Sequence, residues 1–231
     1  MSLAVHKDPV TAAAAAILSR VAGVIAARGH CVLAVPGGST PGPVLNQLRK
    51  ADPQLLGRLT LTLVDERHLP IPPVCDWHDL PAQSNTRLVY AELADGAPVP
   101  VTVHGWALPC DLESARKQLA STVPDPDVLL LGMGPDGHIG SLFPGHNKMR
   151  STQRVISVED SPKPPPQRLS MGLSLLNRAQ HAVLVVGGEA KAGALARALA
   201  LDPALPTTYL DGPTKLWIAD PAAASQLPET S

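Results

Sequence analysis

Aromatic residues are scarce in this sequence of 231 residues, of which only 3% are Phe, Trp or Tyr. That scarcity argues against the stacking platforms with which many proteins bind single-stranded nucleic acids. An excess of one charge is also missing, since the formal net charge is -1 at pH 7 and no basic block stands out. We therefore expect neither a nucleic acid nor an acidic membrane surface as the main partner.

Cysteine is scarce as well, and the three residues Cys31, Cys75 and Cys110 are odd in number and far apart. No CxxC pair or Cys/His cluster is present, so the sequence predicts neither a disulfide framework nor a structural zinc site. We expect no metal centre, and the cysteine usage is typical of a reducing compartment such as the cytoplasm.

A long hydrophobic run extends over residues 10–27, but most of it is alanine and it contains the charged residue Arg20. No positively charged segment precedes it, so the run predicts a packed helix rather than a membrane span or a signal peptide. Asp8 is a suitable N-cap for this helix, Pro9 fits its first turn, and Gly29 fits its end.

Apolar residues make up 45% of the chain, which is enough to bury a sizeable core. Short apolar runs that predict buried strands alternate with stretches of helical spacing. The predicted strands are residues 31–35, 59–64, 128–131, 182–186 and 215–219, and the predicted helices are residues 9–28, 111–121, 169–179 and 189–201. This alternation predicts an α/β fold with a mainly parallel sheet and helices on both faces.

We expect residues 1–231 to form a single domain, because no internal repeat and no long linker divides the chain. Proline is abundant, with 25 residues, so many loops are expected to be stiff. Residues 70–83, which are rich in proline, aspartate and histidine, predict a loop, and residues 221–231 predict a frayed tail.

Polar, glycine-rich segments follow the predicted strands at their carboxyl ends, where open parallel sheets bind ligands. In the first of these segments, Gly38, Ser39 and Thr40 come shortly after the strand at residues 31–35. Backbone amides, hydroxyl groups and a helix N-terminus at such a point make a suitable site for a phosphate group. A plain strand-to-helix turn would use the same residue types, so this segment alone leaves both interpretations open.

A histidine surrounded by glycines follows the strand predicted at residues 128–131. His138 comes two residues after Asp136, and an imidazole with an ordinary pKa of about 6.5 suits a general base that Asp136 could orient. The alternative is a structural loop histidine, since the chain contains eight histidines. The glycines here also match GxGxxG, but the Pro-Gly pair at residues 144–145 would interrupt the helix that a dinucleotide site needs, so no nicotinamide or flavin is expected.

Four further charged side chains follow predicted strands or loops. Asp65 and Arg67 end the strand at residues 59–64, where Arg67 could stabilise negative charge, although a solvated strand exit is the alternative. Arg168 and Lys191 lie near predicted helix starts, where the helix dipole disfavours a cation. An anionic ligand would remove that mismatch, so both are candidates for phosphate binding.

Six short segments and one lysine of the chain occur together, in the same order, in one known family. They are PGGSTP at residues 36–41, DER at 65–67, SN at 84–85, GMGPDGHIGSLFPGH at 132–146, SPKPPPQR at 161–168, LN at 176–177, and Lys191. Over nearly its whole length the chain resembles the 6-phosphogluconolactonase branch of the glucosamine/galactosamine-6-phosphate isomerase family. The resemblance implies a Rossmann-like fold and hydrolysis of 6-phospho-D-glucono-1,5-lactone in the pentose phosphate pathway, with no cofactor. The stretch at residues 70–83 is longer than the family pattern.

The isomerase and deaminase branch of the same family is the nearest alternative, because it resembles this chain in fold and phosphate site. Its pattern places a glutamate five residues after the histidine of the Asp-Gly-His motif, and this chain has Phe143 there. A phenyl ring can neither orient an imidazole nor accept its proton, so the residues favour lactone hydrolysis.

The residue chemistry and the resemblance together predict a role for ten residues. His138 is the expected base that activates water, Asp136 sets its imidazole, and Arg67 stabilises the developing negative charge. The expected substrate-binding residues are Gly38, Ser39, Thr40, Asp65, Asn85, Arg168 and Lys191. The expected partner is a phosphosugar lactone, and the chain is expected to be a monomer or a small homo-oligomer. A non-catalytic sugar-phosphate sensor is a further alternative, which would need the phosphate site but not His138.

Overall fold

Ten strands form two sheets in the computed structural model, which describes residues 2–73 and 76–228. The strands are β1 (Ser2–Val5), β2 (Cys31–Val35), β3 (Leu59–Leu63), β4 (Asp65–Arg67), β5 (Thr102–His104), β6 (Val128–Gly132), β7 (Val155–Val158), β8 (Arg168–Met171), β9 (His181–Val186) and β10 (Thr214–Ala219). Seven of them pair in parallel in the order β1-β10-β9-β6-β2-β3-β5. This is the predicted α/β, Rossmann-like fold.

Seven α-helices connect or flank these strands within the described residues. They are α1 (Pro9–Arg28), α2 (Pro41–Leu48), α3 (Pro53–Leu56), α4 (Asn85–Val89), α5 (Leu112–Thr122), α6 (Leu173–Leu176) and α7 (Ala192–Leu199). A π-helical turn, Tyr90–Ala94, continues α4, and short 3-10 turns cover Trp77–Asp79, Glu189–Lys191 and Pro206–Tyr209. Every residue of β2 is buried, so both faces of the sheet are covered at its centre.

The first helix has the boundaries that its sequence predicts. The Asp8 carboxylate accepts a hydrogen bond from the Thr11 amide at 3.1 Å, and Gly29 ends the helix with φ of 82°. By length and composition alone, α1 could cross a membrane. Its apolar side, which includes Ile17 and Val21, is instead buried against α2 and β9, so the prediction of a packed helix is confirmed.

A second, antiparallel sheet of three strands, in the order β4-β8-β7, was not predicted from the sequence. The prediction of a helix over residues 169–179 is wrong, since residues 168–171 form β8 and α6 covers only four residues. Gly172 lies between β8 and α6, and its backbone passes close to Gln153. A Cβ on Gly172 would lie 2.1 Å from the Gln153 carbonyl oxygen, so a side chain does not fit at this position. The pairing of β8 with β4 and β7 therefore outweighs the helical spacing of its leucines.

The end of the chain is more ordered than expected. Residues 221–226 form consecutive turns rather than a frayed tail, since Ala223 is fully buried and the following Leu227 packs against the core. The Asp220 carboxylate accepts a hydrogen bond from the Ala223 amide at 2.7 Å and so begins these turns. Residues 229–231, the rest of the predicted tail, lie outside the described residues.

Candidate active site

One cleft of about 330 Å³ lies at the carboxyl edge of the parallel sheet. The segments after β2, β3, β6 and β9 meet there, as the rule for open parallel sheets predicts. Nine of the ten predicted site residues line this cleft: Gly38, Ser39, Thr40, Asp65, Arg67, Asn85, His138, Arg168 and Lys191. Asp136, the tenth, contacts one of them, His138.

The imidazole of His138 is paired with the carboxylate of Asp136 at one wall of the cleft. Nδ1 of His138 lies 2.5 Å from Oδ1 of Asp136, so Nδ1 carries the proton that the carboxylate accepts. This fixes the neutral tautomer in which Nε2 has a free lone pair. The ring packs over Gly134, where a Cβ would lie 2.1 Å from its Cε1 and Nδ1 atoms. Glycine is required there for the ring to take this position.

Burial lowers the pKa of His138, and this effect exceeds the opposing influence of its hydrogen bond to Asp136. The pKa of Asp136 is also lowered: its burial acts in the opposite direction, but the hydrogen bond from His138 and the nearby positive charges outweigh it. A neutral imidazole beside an ionised carboxylate is therefore the state that this environment favours around neutral pH. That state suits a general base.

The ring of Phe143 is a neighbour of the His138 ring. Their centroids are 5.0 Å apart with a 41° angle between the ring planes, and Phe143 is almost fully buried. The residue that replaces the glutamate of the deaminase pattern thus lies directly against the histidine. It supplies an apolar surface at the point where that pattern has a carboxylate.

Asn85 connects two charged residues of β4, Asp65 and Arg67. Nδ2 of Asn85 donates a hydrogen bond to the Asp65 carbonyl oxygen at 2.8 Å. Nη1 of Arg67 donates to Oδ1 of Asn85 and to the carbonyl oxygen of Gln83. Gly37 allows this arrangement, since a Cβ there would lie 1.8 Å from Oδ1 of Asn85. Asn85 is therefore held inside the cleft with Arg67 beside it. Of the loop predicted at residues 70–83, residues 74 and 75 lie outside the described residues, and Trp77–Asp79 form a 3-10 turn.

A fully buried carboxylate, which the sequence reasoning missed, supports this corner. Glu66 lies between Asp65 and Arg67 and accepts hydrogen bonds from the backbone amides of Asn85 and Thr86, both at 2.7 Å. It also accepts from the Ser84 hydroxyl and from the Arg67 amide. Burial raises the pKa of Glu66, and the donors oppose that shift. The carboxylate fixes the start of α4 and with it the position of Asn85.

Arg168 lies in the cleft for a reason different from the predicted one. It belongs to strand β8 and not to a helix start, so the helix dipole has no part in its placement. Its guanidinium donates to the carbonyl oxygens of Lys163, Pro164 and Pro165 at 3.1–3.2 Å. Nη1 lies 3.9 Å from Oδ2 of Asp65. Much of its bonding capacity therefore anchors the proline-rich loop at residues 161–167.

Two lysines bring further positive charge to the cleft. Lys191 lies directly before α7, in agreement with its predicted place at a helix start, and burial lowers its pKa. Lys163 also lines the cleft, although it was not among the predicted site residues. Lys163 belongs to the SPKPPPQR segment, which the sequence analysis did single out. Nothing in the sequence indicates which side chain of that segment faces the cleft.

The segment after β2 has a geometry that suits an anion. Gly38 has φ of 105°, a conformation that favours glycine, and Ser39 and Thr40 follow it into the first turn of α2. The Thr40 side chain makes no capping hydrogen bond to α2, so its hydroxyl is available to the cleft. Within residues 2–73 and 76–228, no group of three His, Cys, Asp or Glu side chains could hold a metal ion.

Fold and cleft together define an α/β protein with a cationic, histidine-bearing cleft at the carboxyl edge of its sheet. The family model described as glucosamine-6-phosphate isomerases/6-phosphogluconolactonase matches residues 5–218, and the chain belongs to this family. A 6-phosphogluconolactonase of Streptomyces coelicolor is 36% identical over 256 residues, covering 99% of this chain and 95% of its own. A 6-phosphogluconolactonase of Rattus norvegicus is 36% identical over 220 residues, covering 87% of this chain and 82% of its own.

Solved structures share the fold at lower identity. The 6-phosphogluconolactonase of Trypanosoma brucei has a TM-score of 0.79 and 24% identity, with 98% of both chains covered. A monomeric glucosamine-6-phosphate deaminase has a TM-score of 0.76 and 21% identity, with 97% of this chain and 99% of its own covered. Because both activities occur on this fold, the fold alone does not separate them.

Proposed function

We propose that this protein hydrolyses 6-phospho-D-glucono-1,5-lactone to 6-phospho-D-gluconate, a step of the pentose phosphate pathway in the cytoplasm. The observation that carries the proposal is the His138–Asp136 pair in a cationic cleft, with Phe143 packed on the imidazole. The names of the relatives with 36% identity support the same substrate.

The cations and the β2–α2 segment bind the substrate through its phosphate group in this proposal. The phosphate is held by Lys191, by the hydroxyl groups of Ser39 and Thr40 and by the backbone amide of Gly38, and all four residues line the cleft. Charge-assisted hydrogen bonds from such groups are among the stronger polar contacts that a protein can offer a phosphate. Arg168 contributes its charge from beside Asp65 while it anchors the neighbouring loop.

Nε2 of His138 accepts a proton from water as the water oxygen attacks the lactone carbonyl carbon. The carbonyl oxygen becomes negatively charged, and Arg67, which Asn85 holds in the cleft, stabilises that charge. The carbon–oxygen bond of the ring then breaks, and the imidazolium returns its proton to the departing ring oxygen. The product is a single open-chain molecule with a new hydroxyl group and a carboxyl group, and the carboxyl group releases a proton to the solvent.

A proton-release assay on freshly generated 6-phosphogluconolactone, corrected for spontaneous hydrolysis, tests this function. We expect catalysed proton release from the lactone and no ammonia from glucosamine 6-phosphate supplied in parallel. Ammonia release without lactone hydrolysis would assign the chain to the deaminase activity. Binding of the phosphosugars without turnover of either would favour a sensor and contradict the proposal.

Replacement of Gly134 by alanine is expected to lower kcat for the lactone by about 10²-fold, because the new methyl group displaces the His138 ring by an ångström or more. Steady-state kinetics of the purified variant measures this loss. Gly23→Ala is the matched control, since Gly23 lies in α1 with open space around it. It should retain full activity and gain about 0.5–1 kcal/mol in stability. Equal kcat values for the two variants would contradict the proposed position of the imidazole.

A further inference from the structure

Lys163 lies against the His138–Asp136 pair from the opposite loop. Its Nζ atom is 3.7 Å from Oδ1 of Asp136 and 3.3 Å from Nδ1 of His138. Nδ1 donates its proton to Oδ1 of Asp136, and the ammonium forms an ion pair with the same carboxylate oxygen at a distance beyond that of a hydrogen bond. A positive charge therefore faces the edge of the ring that is bonded to Asp136.

The backbone around Lys163 is fixed from two sides. Nη2 of Arg168 donates to the Lys163 carbonyl oxygen at 3.1 Å, and so does the Ser161 hydroxyl at 2.9 Å. The Lys163 amide donates to Oγ of Ser161 at 3.2 Å. Arg168 itself is only 6% exposed, so the anchor of the loop is part of the protein interior. The loop thus presents the lysine side chain to the pair from a defined position.

We propose that Lys163 is a positioning residue that competes with the imidazolium form of His138 for Asp136 and thereby keeps the imidazole neutral and its Nε2 free to accept a proton. A carboxylate alone would favour the imidazolium, because an opposite charge next to the ring stabilises its charged form. The ammonium of Lys163 offsets this effect while the Asp136 hydrogen bond still fixes the tautomer. The inference rests on the proposed function for its catalytic meaning.

The other charged groups near His138 act in both directions. Asp65 also lines the cleft and, like Asp136, favours the charged ring. Arg67, Arg168 and Lys191 line the same cleft as cations. The apolar ring of Phe143 covers part of the imidazole and adds no charge. Lys163 is the lysine nearest to Nδ1 of His138 among the described residues of the cleft. The burial of His138 lowers the pKa of its imidazole, and the positive charge of Lys163 lowers it further.

Substitution of Lys163 by methionine tests the proposal, because it keeps an unbranched side chain only one atom shorter and removes its charge. We expect the His138 titration to move up by roughly 0.5–1 pH unit, the size of a unit charge at this distance in a largely water-screened site. The Lys163 side chain is 42% exposed, so the variant is expected to fold. Lys163→Arg retains the charge and should leave the titration near that of the wild-type protein.

NMR titration of 15N-labelled histidine follows His138 directly, with the His138→Gln spectrum for its assignment. The acidic limb of kcat/KM for the lactone should move up by the same amount as the NMR titration. Lys117→Met is the matched control, since this lysine lies on α5 with a 70% exposed side chain and should shift neither measurement.

A Lys163→Met protein with an unchanged His138 titration would overturn the proposal, whatever happens to its activity. A raised KM with an unmoved pH profile would do the same, because it would identify the lysine as a substrate contact. If the wild-type protein does not hydrolyse the lactone, the proposed function fails, yet the NMR titration still decides whether Lys163 controls the protonation of His138.

Discussion

Replacement of His138 by glutamine is expected to lower kcat for lactone hydrolysis by about 10²–10⁴-fold, the usual contribution of a general base. Glutamine keeps a polar side chain of comparable length but has no group that accepts a proton near neutral pH. The cleft and its cations remain, so KM should change much less than kcat. Steady-state proton release, corrected for spontaneous lactone opening, measures the difference.

His78→Gln is the matched control for this substitution. His78 also pairs with an aspartate two residues before it, Asp76, but its side chain is 65% exposed and it does not line the cleft. Its replacement should leave kcat unchanged. Near-normal kcat in a folded His138→Gln protein would contradict the assignment of the base.

The pH dependence of the same reaction follows from the environment of His138. Since burial lowers the pKa of its imidazole, the ring stays neutral and active below its ordinary pKa of about 6.5. As the pH falls through that lowered pKa, the imidazolium forms and the rate declines. A profile of kcat/KM whose acidic limb has its midpoint above pH 7 would contradict this environment.

Most of the parallel sheet could be predicted because its inner strands are short, continuous apolar runs. β2, β6 and β9 are buried on both faces, which removes the need for polar alternation and leaves a strong signal in the sequence. The edge strands β1 and β5 have exposed and partly exposed residues and gave no such run. Their pairing depends on neighbours far away in the chain.

The small antiparallel sheet could not be predicted from the sequence pattern, because its pairing also depends on distant segments. β4 has three residues, all charged, and pairs with β8 about a hundred positions later. The leucines of residues 169–176 fit helical spacing, and nothing local indicates that Gly172 has to pass close to the Gln153 carbonyl. Long-range packing decided the structure of this segment.

The convergence of the site could be predicted because parallel strands end at one edge of a sheet. That rule brings Ser39, Arg67, His138 and Lys191 together without knowledge of any side-chain contact. It does not reveal which donor meets which acceptor. Arg168 was therefore selected for the wrong physical reason, and Glu66 and Lys163 were missed, since their partners lie in other segments.

Glu66 shows how much of the site depends on such a distant contact. Four donors converge on its carboxylate, and three of them belong to residues 84–86, almost twenty positions further along the chain. The carboxylate thus replaces the missing intrahelical partners at the start of α4. This interaction places Asn85 between Asp65 and Arg67. The buried Glu66 carboxylate therefore contributes both to the stability of the fold and to the geometry of the cleft.

Replacement of Glu66 by alanine is expected to lower the free energy of unfolding by about 3–5 kcal/mol, because it leaves several buried donors without an acceptor and opens a cavity. Glu66→Gln retains one oxygen but directs an amide group toward backbone amides, so we expect a loss of about 1–3 kcal/mol. Urea unfolding measures both. Glu113→Ala is the control and should leave stability nearly unchanged, because the Glu113 side chain is 53% exposed on α5 and its ion pairs are solvated. Because Asn85 and Arg67 lose their support together, the Glu66→Gln protein should also show a lower kcat, and full activity would indicate that Arg67 keeps its position without this carboxylate.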